Sequence, residues 1–314
     1  MTDYDASMDR RRFIIQGARL AASIPFFTSA CVHSVNRGTA PLFQLSLAQW
    51  SLHRALRGKQ LDHLDFARSA MEDYGIEAVE YVNQFFMDKA RDRTYLAEMK
   101  KRADDAAVRS LLIMCDSEGN LGDVEATART TAIQNHHKWV EAARYLGCHS
   151  IRVNAYSQAG GAEEQMKLCA DGLHRLAEFA DQHDINVIVE NHGGNSSNGA
   201  WLVGTIRMGD HRRLGTLPDF GNFLVNAQTN EWYDRYRGVE EMMPFAKGVS
   251  AKSMDFDAAG NETQTDFRRM MRIVVDHGYH GYVGIEYEGN ILSEPAGIRA
   301  TRDLLLRVRE ELAA

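Results

Sequence analysis

The chain alternates short apolar runs with longer segments in which apolar residues recur every three or four positions. The short runs are rich in β-branched residues and end at glycine or polar turns, which is typical of buried strands. From residue 43 onward the pattern repeats eight times, so we expect one sheet of eight strands. The predicted strands cover residues 43–49, 76–82, 110–115, 149–154, 186–191, 214–219, 247–254 and 282–287.

The segments between these runs have helical periodicity. They predict helices over residues 61–74, 93–107, 130–146, 164–183 and 265–277. Several of these segments end at glycine, as at Gly75, Gly147 and Gly278, which is typical of a helix C-terminus. Strands and helices alternate without a glycine-rich phosphate-binding loop. The pattern therefore favours an α/β fold with a single (β/α)8 TIM barrel over residues 43–314, and not a doubly wound sheet.

Composition narrows the classes of partner. Apolar residues make up 44% of the 314 residues, which is ample for one large core. The formal net charge is −7, and basic residues are spread along helical segments, so nucleic acid is not expected to bind. The cysteines lack CxxC spacing, so neither a zinc knuckle nor a disulfide framework is expected. They are Cys31, Cys115, Cys148 and Cys169.

Residues 1–42 are predicted to be an export signal and linker, separate from the barrel. Arg10-Arg11-Arg12 precedes a short apolar stretch at residues 20–27, which resembles a twin-arginine (Tat) signal. Cys31 follows small residues and weakly resembles a lipoprotein cleavage site, so a lipid anchor is a second prediction; a disordered basic leader is the alternative. No other stretch reaches the roughly 18 apolar residues that span a bilayer. We therefore expect an exported, periplasmic protein that is soluble or tethered.

Three late strands end in carboxylates: Glu190, Asp219 and Glu286. Because the C-terminal ends of parallel strands open onto one rim of a barrel, these side chains are expected to converge. Carboxylate oxygens are good ligands for hard divalent cations, and three adjacent acids repel one another unless a cation or arginine lies between them. The prediction is a site for Mn²⁺, Mg²⁺ or Zn²⁺; rim salt bridges are the alternative.

Further polar side chains lie at the predicted strand ends, where a wall of donors and acceptors suits a carbohydrate. Lys252 either neutralises the acids or takes part in catalysis. His192 points to the same side as Glu190 and is a metal ligand, an acid/base group or a histidine bonded within its turn. The predicted substrate-binding residues are Trp50, Glu80, Arg152, Asn154 and Asn222. The same rule also places His53, Asn83, Asp116 and Glu288 on the rim.

Alternatives stay open for three of these residues. Trp50 is either a wall against which a sugar ring stacks or a core residue. Glu80 and Arg152 either contact the substrate or pair with each other.

Four motifs together resemble the xylose-isomerase-like TIM-barrel superfamily of sugar and sugar-phosphate isomerases and epimerases, over roughly residues 43–312. The resemblance implies one divalent cation, held by a glutamate, an aspartate, a histidine and a second glutamate. Glu190, Asp219 and Glu286 match three of those positions. The motifs are Val189-Glu190-Asn191-His192-Gly193, Pro218-Asp219-Phe220-Gly221-Asn222, Ala251-Lys252-Ser253 and Gly284-Ile285-Glu286-Tyr287.

The chain departs from that family at specific positions. Ser250 stands where the family usually has its histidine ligand, and Asn222 stands where many epimerases have a histidine. No glutamate follows Glu190 at the short spacing that would supply a second acid/base. These differences argue against epimerisation by two metal-bound carboxylates, whereas the fold and a sugar-like substrate remain expected.

The sequence thus predicts a divalent-metal-dependent isomerase or epimerase that acts on a sugar or sugar derivative through an enediolate. The predicted catalytic residues are Glu190, Glu286, His192 and Lys252: Glu286 or His192 moves the proton, and Lys252 stabilises charge. Elimination from the same intermediate would make the protein a dehydratase or lyase, and a sugar-binding barrel is the non-catalytic alternative. A DNA-repair barrel of the endonuclease IV type is not expected, because it needs more histidines and a basic face.

Overall fold

Eight parallel strands form the central sheet in a computed structural model that describes residues 41–314. The predicted strands are confirmed to within a few residues at each end, and the sheet is TIM-barrel-like. Its strand order is β6-β5-β4-β3-β2-β1-β10-β9, and a separate hairpin pairs β7 with β8. The strands are β1 (Gln44–Ala48), β2 (Ala78–Val82), β3 (Arg109–Met114), β4 (Ser150–Val153), β5 (Asn186–Glu190), β6 (Leu214–Leu217), β7 (Leu224–Asn226), β8 (Glu231–Trp232), β9 (Val249–Ser253) and β10 (Tyr282–Tyr287).

Isolated parallel bridges link the chain at β6 to the chain at β9, the first and last strands of this order. Thr216 pairs with Ala246, and Asp219 pairs with Ser250. The backbone N–H of Ser250 donates to the carbonyl of Pro218 at 2.9 Å. The turn that carries Asp219 is therefore held beside β9.

The helices follow the strands along the chain, and all five predicted helices are confirmed. Glycines in the left-handed conformation end two of them, Gly75 at φ 65° and Gly147 at φ 84°. The helices are α1 (His53–Arg57), α2 (Phe66–Tyr74), α3 (Arg93–Asp105), α4 (Ala126–Leu146), α5 (Ala162–Asp181), α6 (Gly199–Gly209), α7 (Arg235–Met242), α8 (Phe267–Asp276) and α9 (Glu294–Ala313).

The two faces of the sheet bury different apolar groups, because side chains alternate along a strand. Leu47 and Ile113 belong to the large core that includes residues of the helices, such as Trp139. The opposite face contributes a small apolar cluster of buried residues. Its members are Ala48, Val82, Leu112, Met114, Ile188 and Leu217.

The predictions for the N-terminal region lie outside the described residues. The export signal, the division at residue 42 and the lipid anchor at Cys31 therefore stay predictions. Within residues 41–314, Cys115, Cys148 and Cys169 are buried free thiols. No helix in that range is both long and apolar enough to cross a membrane.

Gly172 in α5 allows a close approach to the loop after β3. A methyl group there would overlap the carbonyl oxygen of Leu121, whereas nothing lies within 4 Å of a methyl group at Gly160. We expect Gly172→Ala to lower the free energy of unfolding by about 1–3 kcal/mol, because backbone must shift. The control Gly160→Ala should be neutral or slightly stabilising. Urea denaturation checks this, and equal stability of the two variants would contradict the packing described.

Candidate active site

Glu190, Asp219 and Glu286 converge at the C-terminal ends of β5, β6 and β10. One carboxylate oxygen of each lies within 4.8 Å of the others. Their exposed fractions are 1%, 0% and 5%, so water hardly reaches them. The sequence rule thus identified three acids that the structure brings together. We call them the carboxylate triad.

Backbone groups hold Asp219 within the triad. The N–H groups of Gly221 and Asn222 each donate to Asp219 Oδ1 at 2.8 Å. The Asn191 side chain accepts the N–H of Asp219 at 2.7 Å and donates to the Asp219 carbonyl at 3.0 Å. Asn191 therefore fixes the turn after β6 to the end of β5, and Oδ2 of Asp219 remains for other partners.

Ser250 connects two members of the triad. Its Oγ lies 2.8 Å from Asp219 Oδ2 and 3.1 Å from Glu286 Oε2. A hydroxyl carries one proton, so it can donate to only one ionised carboxylate at a time. The other carboxylate must be protonated or compensated by a cation. Ser250 occupies the position at which the family resemblance places a histidine ligand.

Lys252 is the cation on one side of the triad. Its Nζ lies 3.4 Å from Glu286 Oε1 and 2.9 Å from Glu288 Oε1, and it donates to Asn222 Oδ1 at 3.2 Å. Gly221 makes room for this side chain, since a methyl group there would lie 2.8 Å from Lys252 Cδ. The glycine after Asp219 and Phe220 therefore matters for the position of the lysine.

Arg152 is the cation on the other side. Its Nε lies 2.9 Å from Glu190 Oε2, and its Nη1 donates to Asp116 Oδ1 at 2.7 Å. Asn154 also donates to Asp116 Oδ1, at 2.9 Å. The ion pair with Glu190 lacks hydrogen-bond alignment, so Glu190 Oε2 is buried without a donor. The expected alternative, an Arg152 pair with Glu80, is wrong, because the arginine pairs with Glu190 and Asp116.

Burial is the largest influence on the pKa values of the triad carboxylates. It raises the pKa of Glu190 and of Asp219 to about 7 in each case, against the pull of Arg152 and Lys252 respectively. Burial also opposes ionisation of Glu286, but Lys252 overcomes this and the pKa of Glu286 is lowered. The pKa of Lys252 lies well above its usual range, because the acids outweigh its desolvation. Lys252 is therefore a cation and not a base.

The triad fits a divalent cation. Such ions bind oxygen ligands at about 2.0–2.6 Å, so two ligand oxygens lie at most about 4–5 Å apart, as these do. Glu190 Oε2 lacks a hydrogen-bond donor and Ser250 cannot donate to both neighbours, so a cation would satisfy both deficits. Among residues 41–314, no histidine or cysteine joins the group. His192 is therefore not placed as a ligand.

Three cavities meet at His192, which is exposed and lines all of them. The first, of about 290 Å³, contains Glu286 and the two cations; it also has Trp50, Asp116, Asn222 and Glu288 in its wall. The second, of about 270 Å³, includes Asn154 and His136. The third, of about 450 Å³, extends under the β7–β8 hairpin. We call the first the catalytic cavity and the third the hairpin cavity.

Trp50 is partly buried and not a core residue. Its ring stacks on His53 at 4.9 Å and lies beneath the Arg57 guanidinium at 4.8 Å. Trp50 lines the catalytic cavity, as expected of a stacking wall. Contact with a substrate stays a prediction.

Glu80 lies deeper than the other predicted site residues. It is 2% exposed, and Ser46 Oγ donates to its Oε1 at 2.6 Å. Its carboxylate lies against Gly284, two residues before Glu286 on β10, and its Oε2 has no partner. Glu80 lines none of the three cavities, so its assignment to substrate binding remains untested.

Sequence reasoning did not assign roles to several groups that complete the site. Asn191 and Ser250 are small polar residues whose partners lie on neighbouring strands, and Asp116 was placed on the rim without a partner. Asn191 lies in the Glu190 motif, which is the one signal for it in the sequence. The β7–β8 hairpin is too short for the alternation of apolar and polar residues to predict it.

Comparison with known proteins places the chain in a family. The family model described as "Xylose isomerase-like TIM barrel" matches residues 69–308. The protein therefore belongs to the xylose isomerase-like TIM barrel family, as its fold and carboxylate triad also indicate. No curated protein matches it in sequence.

Solved structures with the same fold are distant in sequence. A 3-keto-D-glucoside 4-epimerase from E. coli is 19% identical, with a TM-score of 0.60 over 79% of this chain and 94% of that chain. A xylose isomerase-like TIM barrel protein from Mycobacterium smegmatis, in complex with magnesium, is 16% identical (TM-score 0.64; 87% and 98%). A probable 3-DHS dehydratase from Bacillus anthracis is 15% identical (TM-score 0.63; 84% and 99%).

Burial of Glu80 makes stability depend on pH. Desolvation raises the pKa of Glu80 to about 7, so the folded state holds a proton that the unfolded chain releases near pH 4.5. Its stabilisation is complete below pH 4.5 and is lost as the pH rises through 7. The free energy of unfolding of the native protein should therefore fall between pH 5 and pH 8. With chelator present, we expect this fall to be roughly 2 kcal/mol smaller in Glu80→Gln, because glutamine does not titrate.

Urea denaturation at both pH values measures this difference. Glu72→Gln is the matched control, because Glu72 is 67% exposed and its removal should not change the pH dependence. Identical pH profiles for the native protein and the Glu80 variant would contradict a neutral buried acid.

Proposed function

We propose that this protein is a divalent-metal-dependent isomerase or epimerase that acts on a sugar or sugar derivative. The observation that carries the proposal is the buried carboxylate triad, whose member Glu286 lines a polar cavity together with Lys252 and Arg152. Buried acids with shifted pKa values in a cleft are typical of catalytic sites. Family membership and epimerases among the structures of similar fold support the reaction class.

Glu190, Asp219 and Glu286 would hold the cation. A bound divalent cation would supply Lewis acidity, polarising a substrate carbonyl and acidifying the neighbouring C–H bond. Magnesium in a structure of the same fold is consistent with this assignment. The donor set is entirely oxygen, which favours Mg²⁺ or Mn²⁺ over Zn²⁺ when compared with a site that contains imidazole.

The side chains around the cavity divide the remaining work. Lys252, kept protonated by Glu286 and Glu288, stabilises negative charge on an enediolate oxygen. Proton transfer falls to Glu286, Glu190 or His192. Glu190 and Glu286 would both be ionised beside a bound cation, so either carboxylate can accept the proton. Trp50 offers an apolar wall to a sugar ring.

A dehydratase or lyase is the second candidate. Lys252 lies at the cavity wall as a charged ammonium, so it can stabilise the negative charge on a departing group, while the acid that took up the substrate proton returns it to that group. The same enediolate then loses a β-substituent instead of regaining a proton. A dehydratase among the structures of similar fold is consistent with this outcome.

The proposed location of the protein bears on which substrate it meets. We propose that the twin-arginine segment exports the protein to the periplasm and that Cys31 carries a lipid anchor. Sugars there are mostly unphosphorylated, and the catalytic cavity offers Arg152 and Lys252 already paired with carboxylates. The proposed partner is thus an unphosphorylated carbohydrate and not a nucleic acid.

Deuterium exchange tests the reaction class. The protein is incubated in D₂O with free ketohexoses and methyl 3-keto-D-hexosides, and NMR follows carbon-bound deuterium. We expect exchange to fall at least ~100-fold in Glu190→Gln and in Glu286→Gln, because each loses a cation ligand or base. Glu163→Gln, at a site 81% exposed, should exchange as the native protein does. Unchanged exchange in both site variants would refute the proposal, and release of a leaving group would identify a lyase.

Metal selectivity tests the donor set independently of activity. Chelator-treated protein is titrated calorimetrically with Mn²⁺ and with Zn²⁺. We expect Ser250→His to raise the affinity for Zn²⁺ relative to Mn²⁺ at least ~10-fold, because imidazole is the softer ligand. Ser250→Ala should still bind, and Asp219→Asn should bind neither ion. Absence of binding to the native protein would show that the triad is not a metal site.

A further inference from the structure

We infer that the substrate is a glycoside whose sugar carries a bulky apolar or aromatic group, and that the hairpin cavity holds this group. The inference rests on the proposed function, which places the sugar ring in the catalytic cavity. It goes beyond that function by naming the substituent and the residues that recognise it.

The two cavities are neighbours that share part of their walls. His192, Asn222, Lys252 and Glu288 line both of them. No member of the carboxylate triad lines the hairpin cavity, which is nonetheless the larger of the two, at about 450 Å³ against about 290 Å³. A ligand with its reacting carbons at the triad therefore has room for a second, larger group past the shared residues.

The chemistry of the wall changes between the two cavities. The catalytic cavity is bounded largely by charged and amide side chains, whereas the outer part of the hairpin cavity is apolar. Trp232 is 52% exposed there, an unusual state for so large an apolar side chain. The apolar residues of this wall are Leu224, Val225, Ala227, Trp232 and Met254.

The hairpin holds Trp232 in a defined position. The indole N–H donates to Asn230 Oδ1 at 2.9 Å, and Trp232 pairs with Leu224 across the hairpin. Next to it, the N–H of Tyr233 donates to the carbonyl of Phe223 at 2.9 Å. Phe223 is fully buried and packs against Gly238 of α7. The exposed indole face is thus pre-positioned, which lowers the entropy cost of stacking against a ligand.

Charge selects among possible substituents. Of the residues that line the hairpin cavity, Lys252 is the only lysine or arginine, and it is paired with Glu288 and Glu286. A phosphate or nucleotide would find no free cation among these residues and would face a carboxylate. A second sugar could stack on Trp232, but most of its hydroxyls would face leucine, valine and methionine, with Ser197 and Gln264 as the further polar side chains of this wall. An apolar or aromatic aglycone satisfies both constraints.

Paired ligands test the inference by binding alone. Methyl and phenyl glycosides of the common hexoses, with and without a 3-keto group, are titrated calorimetrically into the Mn²⁺-loaded protein. We expect the phenyl member of the recognised pair to bind at least ~10-fold more tightly. Trp232→Ala should remove most of that gain and change binding of the methyl glycoside less than ~2-fold.

Tyr145→Ala is the matched control, because Tyr145 is an exposed aromatic residue, 36% accessible, that lines none of the three cavities. Equal affinities of methyl and phenyl glycosides across the panel, or no binding of any phenyl glycoside, would overturn the inference. Binding of phenyl glycosides that depends on Trp232 without deuterium exchange would refute the proposed function alone. Exchange that is as efficient with methyl glycosides, and unaffected by Trp232→Ala, would refute the inference alone.

Discussion

Mutual repulsion among three buried carboxylates is the constraint on which the site depends. Glu190, Asp219 and Glu286 approach one another where water is nearly excluded, so each would strongly disfavour ionisation of the others. Two cations, Arg152 and Lys252, offset part of this charge, but each is shared with a further carboxylate outside the triad. The remaining negative charge is compensated either by bound protons or by a divalent cation. The pH therefore affects how strongly the triad can bind a metal.

The parallel sheet makes this convergence possible. Its strands all end on one side, so residues separated by nearly a hundred positions in sequence become neighbours there. Between β6 and β9, side-chain hydrogen bonds add to the backbone hydrogen bonds of the sheet. Asn191 fixes the turn of Asp219 from one side, and Ser250 contacts it from the other. Small polar residues therefore determine how closely the acids approach.

Beyond the triad, the site is graded from charged to apolar. The innermost part has carboxylates and their paired cations, the middle part has Asn222 and His192, and the outermost part has the β7–β8 hairpin with Trp232. Such a gradient matches an amphipathic ligand that is held by its polar end and sorted by its apolar end. The β7–β8 hairpin follows the same turn that positions Asp219. One short segment therefore contributes both Asp219 to the triad and Trp232 to the wall of the hairpin cavity.

The sequence alone determined the alternation of strands and helices and the three acids at strand ends, because both depend on local periodicity and on the common direction of parallel strands. It did not determine how deeply each polar side chain is buried below the cavities. Glu80 and Glu286 both lie in strands, but the register shift between Val79 and Glu80 and the space beside Gly284 leave Glu80 below the cavities. Pairings across strands, such as Arg152 with Asp116 or Ser250 with two acids, also required the tertiary structure. The reason is physical: periodicity specifies which face a side chain occupies, whereas its partner depends on register, side-chain direction and packing between segments far apart in the chain.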